Sequence, residues 1–220
     1  MPHPDQPKTR LGRQLAAGVP QKVVRDVWNR FRYGPGAPLS DERIYISPCD
    51  IKFAHRAVDR AYRRRESGMV VAGDWDQSRE PLPETRAARV IHDHFVKGMS
   101  WAETGIVDYH LGKIAEKGIS EGARTLEEIM ARYEDLDRVY EDAQKTGTLR
   151  PRSELPGHLR REYEGIFFHI ARDGEPLRTG GGRNRFAIAR VLKLPKIPAQ
   201  LGIIHPEAVR AGYLEQLRRP

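Results

Sequence analysis

An α+β domain carrying a largely helical insertion is the fold class this sequence predicts, on three observations. Short apolar runs closed by proline or glycine occur near both ends of the chain, as in Ile44-Tyr45-Ile46-Ser47-Pro48 and Gly165-Ile166-Phe167-Phe168-His169-Ile170. Between them, roughly residues 66–160, the dominant signal is helical periodicity. Finally, 220 residues with 39% hydrophobic content are enough to bury a core, and no internal repeat points to a solenoid.

Each element has a local reason. Residues 1–19 mix Pro, Gly, Lys and Arg without a sustained apolar period and predict a flexible arm, so the single domain is expected over 20–220. From Gln21 to Tyr33, Val23, Val24, Val27, Trp28 and Phe31 recur at helical spacing, and Gly34-Pro35-Gly36 ends the helix. A strand over 43–48 and a basic helix over 51–65 follow. Met69-Val70-Val71-Ala72-Gly73 predicts a buried strand, 77–85 a loop, and 86–97 a helix stopped by Gly98. Ser100 and Glu103 have capping-box spacing for a further helix, and 125–145 keeps one apolar stripe opposite an acidic face. A strand at 165–170, a turn at 172–175, a helix over 185–194, a strand over 197–204 and a helix from Pro206 to Leu217 complete the chain.

Composition excludes several classes. No stretch approaches the roughly 20 apolar residues of a membrane span, and residues 1–20 hold no apolar block for a secretion signal. A cytoplasmic location and no membrane partner are therefore expected. The single cysteine, Cys49, cannot form an internal disulfide or, alone, a thiolate metal site. The formal charge of +8 divides unevenly, with residues 1–65 and 146–220 net basic and 66–145 net acidic. Such a balance suits nucleic acid or a small polyanion and selects neither.

The most informative segment is Gly180-Gly181-Gly182-Arg183-Asn184-Arg185. Successive glycines admit conformations closed to other residues and let a ligand reach the peptide N–H groups. The helix that follows points its free N–H groups and positive dipole end at the same place. Arg183 and Arg185 add guanidinium forks suited to phosphate oxygens, and Asn184 adds a neutral donor. The segment thus predicts a site for a nucleotide or another phosphorylated small molecule.

The stretch from Ile170 to Leu201 resembles the phosphate-loop region of the ParB/sulfiredoxin superfamily, with Gly181, Gly182, Arg185, Ala187, Ile197 and Pro198 on that pattern. Ile44 to Ile51 looks like the family's first strand and exit turn. The resemblance implies a small mixed β-sheet of ParB/sulfiredoxin type, a phosphate-loop core at 165–204, and ATP or CTP as ligand. Arg183 stands where the reductase branch has its cysteine and Asn184 where a histidine is usual, which excludes thiolate chemistry at this turn. Nothing after the loop resembles a helix-turn-helix module, so nucleic acid is the less favoured partner.

Phosphoryl transfer needs charge neutralisation, usually Mg2+, and a carboxylate to orient or deprotonate the acceptor. Asp173 and Glu175, just before the loop, are candidates for that carboxylate, with Arg183 stabilising transferred charge. Asp74 and Asp76 flank Trp75 after an apolar run and are candidates to hold Mg2+. For both pairs the alternative is a turn: a surface Asp-Gly turn at 173–174, and a capped turn around a core tryptophan at 74–76. His92 and His94, two apart on a helix, point in different directions and make no metal pair. The expected activity is that of a phosphotransferase or nucleotidase, the alternative a nucleotide-gated or DNA-associated binding protein that breaks no bond.

Overall fold

A computed structural model describes residues 9–220 apart from Asp59. Its strands are β1 (Arg43–Ile46), β2 (Phe53–His55), β3 (Arg79–Pro81), β4 (Phe167–Ile170), β5 (Pro176–Arg178) and β6 (Ile197–Ile204), in one sheet of order β1-β6-β4-β5-β2-β3. The sheet is mixed. β6 runs parallel to β4 and β2 parallel to β5, while the remaining neighbours are antiparallel. Every residue of β4 and β6 is buried, as expected of central strands covered on both faces.

The helices are α1 (Arg10–Ala16), α2 (Val19–Tyr33), α3 (Arg86–Phe95), α4 (Ile106–Lys117), α5 (Leu126–Thr146), α6 (Arg183–Val191), α7 (Pro206–Arg210) and α8 (Tyr213–Leu217). Threonines cap three of them: Thr9, Thr85 and Thr125 accept N–H bonds from Gly12, Ala88 and Glu128. Gly147, in the left-handed region at φ 73°, closes α5. Helices α3 to α6 contribute to one apolar core with the sheet, in which Phe168 and Ile170 of β4 and Ile197, Ala199, Leu201 and Ile204 of β6 meet Val90, Ile91, Ile129 and Ile188.

The other side of the sheet is polar. Gln200 donates to Asp41 at 2.7 Å, and Asp41 also accepts two bonds from Lys22 at 2.7 and 3.0 Å. Arg64 donates to Gln200 and lies over the Phe167 ring. Burial pushes the pKa of Lys22 down and that of Asp41 up, and each partner opposes the shift in the other.

Several local expectations are corrected. Arg10–Ala16, within the expected arm, is helical because Thr9 caps it; the part of the arm over 1–8 lies outside the described residues. The basic helix at 51–65 is replaced by β2, an extended segment and a 3-10 turn at Arg64–Glu66, since pairing with β3 and β5 overrides local propensity. The run at 69–73 makes only a single bridge, Val70 with Ile204, and the expected loop at 77–85 supplies β3, while α3, α4 and α5 make up most of the regular structure of the 66–160 insertion. Ser100 and Glu103 do bond each other, yet the helix starts at Ile106 after a left-handed Gly105. Gly212 likewise divides the C-terminal helix into α7 and α8.

The buried pair yields a stability prediction. Lys22→Met leaves Asp41 without its closest cation and should lower unfolding free energy by about 3–5 kcal/mol, whereas Lys22→Met with Asp41→Leu should recover part of that loss. Urea unfolding of the three proteins measures it.

Candidate anion site

β5 is three residues long, and its last residue, Arg178, leads directly into Thr179 and the glycines. The Thr179 amide donates to the Phe167 carbonyl at 3.2 Å, which holds the chain against β4 for one residue more. Then the backbone turns. Gly181 and Gly182 have φ of 96° and 64°, values costly for any other residue. Each also allows a close approach, because a Cβ on Gly182 would come within 2.9 Å of Ile166 and one on Gly181 would collide with the Arg64 guanidinium. Gly180 faces open space.

This turn leaves a row of backbone donors free. From Gly180 through Arg185 no amide has an acceptor among the described residues, and the first bond of α6 runs from the Phe186 amide to the Gly182 carbonyl at 3.0 Å. Unpaired N–H groups at a glycine turn and a helix N-terminus form a site for negative charge.

Arg178 completes it. The side chain is 6% exposed, donates to the Phe167 and Gly181 carbonyls, and lies over the Phe168 and Phe186 rings, yet no carboxylate pairs with it among the described residues. Burial, with the Arg64 and Arg183 charges nearby, pulls its pKa down to about 9. A buried guanidinium lacking a counterion is costly for a fold and is offset by an anion. It lines a cavity of about 1130 Å³ between α3 and α6, together with Thr179, Gly180, Arg183, Arg190 and His55.

A second hollow of about 430 Å³ is walled by residues 180–185 and by Arg86, Arg132 and Tyr133. His110 is buried behind it between the Ser120 and Tyr133 hydroxyls, and burial raises Tyr133 to about 12.

The structure distributes the candidate residues unequally. Gly180, Gly181, Gly182, Arg183 and Asn184 stay together at the loop. Arg183 is exposed and pairs with Glu121 at 3.0 Å. Arg185 lines the smaller hollow, donates to the Arg150 carbonyl, and has buried Nε and Nη1 atoms without acceptors among the described residues; burial lowers its pKa to about 10. Asp173 and Glu175 lie in the turn before β5, at the opposite end of that strand from the glycines, and both accept from Arg79 at 2.8 Å.

Asp74 and Asp76 face a guanidinium as well. Arg172 bonds both carboxylates at 2.7 Å, and its amide also donates to Asp76. Burial raises the Asp76 pKa, but the bonds from Arg172 outweigh it and hold the carboxyl below its ordinary value. Arg172 thus forms an ion-pair clamp between the 74–76 turn and the β4–β5 turn. No cluster of three or more metal-ligating side chains occurs among the described residues. His94 bonds Met99 and Asp137 and stacks on Trp101, His205 caps α7, and Cys49 is an exposed free thiol.

Sequence reasoning missed Arg178, Thr179 and the α3 side of the cavity. The available signal was an arginine immediately before the glycines, hidden because a three-residue strand has no readable period.

No family model, curated protein or solved structure matches the chain. The site therefore rests on its own geometry.

Two predictions follow from these environments. Asp76→Asn should destabilise the fold by about 1–3 kcal/mol, since the carboxylate is covered while Arg172 remains partly in water; thermal unfolding with and without Mg2+ should show the same loss. His169 of β4 is fully buried, accepts from the Ile203 amide through Nδ1, and is held neutral down to a pKa of about 3. The unfolded imidazole takes up its proton near pH 6.5, so stability is complete above that value and falls as pH drops toward 3. The slope from this group should approach about 1.4 kcal/mol per pH unit and vanish in His169→Gln, measured by urea unfolding across that range.

Proposed function

We propose that this protein binds the phosphate groups of a nucleotide, ATP or CTP, at the Arg178–Arg185 turn, with the rest of the ligand in the cavity between α3 and α6. The observation that carries the reading is Arg178, a buried guanidinium without a carboxylate partner, beside a row of unpaired amides. Phosphate oxygens would take the charge of Arg178 and the N–H bonds of Gly180–Arg185 in one interaction. Further support comes from Arg185, which lines the smaller hollow and has two buried guanidinium nitrogens without acceptors among the described residues. A glycine turn that opens a helix and is followed by an Ile197-Pro198 strand also agrees with the ParB/sulfiredoxin-like reading.

One observation bears on whether a bond is broken. Asp173, Glu175, Asp74 and Asp76 are all held by arginines, the first two at the far end of β5. This favours nucleotide binding without turnover, in a nucleotide-gated or DNA-associated protein. The catalytic form of the proposal, a phosphotransferase or nucleotidase with Arg183 stabilising transferred charge, would draw its base from carboxylates lining the cavity, Glu80, Glu84 or Asp93. Asp93 already pairs with Lys97 at 2.7 Å. Incubation with ATP or CTP and Mg2+, followed for nucleoside diphosphate, separates the two forms.

The binding itself is tested at Arg178. Arg178→Met should weaken nucleotide affinity by about one to two orders of magnitude, the equivalent of a charged hydrogen bond worth about 1.5–3 kcal/mol. Arg178→Lys should recover only part, because an ammonium lacks the guanidinium fork. Arg185→Ala should lose affinity with little change in melting temperature, since its side chain makes a single bond to the protein. Calorimetric titration with ATP and CTP at fixed salt reads all three, and wild-type affinity in Arg178→Met rejects the site.

A further inference from the structure

Helix α2 is oriented against its own pattern. Its buried side chains are Lys22, Asp26 and Asn29, while the apolar stripe Val23, Val24, Val27, Trp28 and Phe31 faces outward, with Phe31 84% and Val24 70% exposed. This orientation is locked. Lys22 is bonded to Asp41, Asp26 to Arg160 and Arg161 and to the Ser40 amide, and Asn29 to the carbonyls of Pro38 and Gly68. Rolling the stripe inward would strand these buried polar groups. Helix α1 packs beside α2 and adds exposed Leu11 and Leu15. Together these seven side chains are 50–84% exposed, a concentration of apolar surface of the kind that marks an interaction site.

Charge and shape identify what covers it. Between Thr9 and Tyr33 the only acid is Asp26, buried and paired, whereas Arg10, Arg30 and Arg32 are exposed. By helical spacing Arg30 and Arg32 lie on opposite flanks of the stripe. Arg65 adjoins Gly18 at the base of the hairpin. A second copy of the hairpin would meet this basic rim with like charge, which opposes self-association. The most exposed residues, Phe31 and Val24, line neither of the two cavities and are free to insert into a surface. An apolar ridge bearing a tryptophan and bordered by arginines is the pattern that enters an anionic lipid interface.

We propose that the α1–α2 hairpin docks this protein on an anionic membrane surface, Trp28 and Phe31 entering the headgroup region while Arg30 and Arg32 contact lipid phosphates. Hydropathy along the chain anticipates no membrane partner, and no helix among the described residues is long and apolar enough to cross a bilayer. A stripe on a surface helix escapes that criterion because it needs no apolar run.

The test is co-sedimentation of the full chain with vesicles of equimolar phosphatidylcholine and phosphatidylglycerol, against phosphatidylcholine alone. Binding should require phosphatidylglycerol, weaken with salt, and shift tryptophan emission to the blue in wild type, a shift that Trp28→Phe should abolish. Phe31→Glu should weaken it about tenfold or more with unchanged melting, because the residue touches little of the fold. Arg30→Gln with Arg32→Gln should weaken it too, while Arg178→Met should leave it intact, which separates this surface from the nucleotide site. Failure to bind phosphatidylglycerol vesicles, equal binding to neutral ones, or binding indifferent to Phe31→Glu overturns the proposal. So does a solution dimer that Phe31→Glu converts to monomer, which would give the stripe to a second copy.

Discussion

Asp41 is the group on which most of the arrangement depends. Fully buried just before β1, it accepts from Lys22 of α2 and Gln200 of β6, its amide donates to Ser67, and its carbonyl accepts from the Glu162 amide. Four parts of the chain far apart in sequence meet on this residue. A carboxylate at such depth persists only where its bonds are made, so the surrounding backbone has little freedom to move. The polar face of the sheet is thus as constrained as the apolar one.

Two consequences run outward from that layer. The Lys22 contact, with those of Asp26 and Asn29, turns α2 so that its polar side is spent on the protein and its apolar side meets solvent. In the other direction, Gln200 holds Arg64, whose guanidinium also donates to the Gly165 carbonyl at 2.7 Å and lies against Gly181. The glycine turn is therefore braced from beneath by one cation and from β5 by another. Carboxylates are distributed in the opposite way: those near the β4–β5 turn are matched to Arg79 and Arg172, while Arg178 has none among the described residues. Among the described residues, positive charge is left without a carboxylate at one end of β5 and balanced at the other, and the proposed anion site rests on this asymmetry.

Some of this was legible in the sequence because the determinants are local. The stripe of α5, the apolar runs of β1, β4 and β6, and the glycine turn opening a helix all depend on residues within a few positions of each other. β2, β3 and β5 were illegible for the complementary reason: three residues carry no period, and each becomes a strand only because a neighbour supplies its hydrogen bonds. The Asp74 and Asp76 pair illustrates the same limit, since two carboxylates flanking a tryptophan look alike whether a cation or a distant arginine occupies the space between them.

By itself, then, the sequence determined the α+β class, the amphipathic character of α2, and the position of a turn rich in unpaired amides, since these follow from side-chain period and backbone freedom. The tertiary structure alone decided that Arg178 would be buried without a carboxylate partner among the described residues, that Arg172 and Arg79 would take the nearby acids, and that the stripe of α2 would face outward. These outcomes depend on which charges meet across the fold. Periodicity states that a helix has two faces; only the partners available to Lys22, Asp26 and Asn29 decide which face is buried.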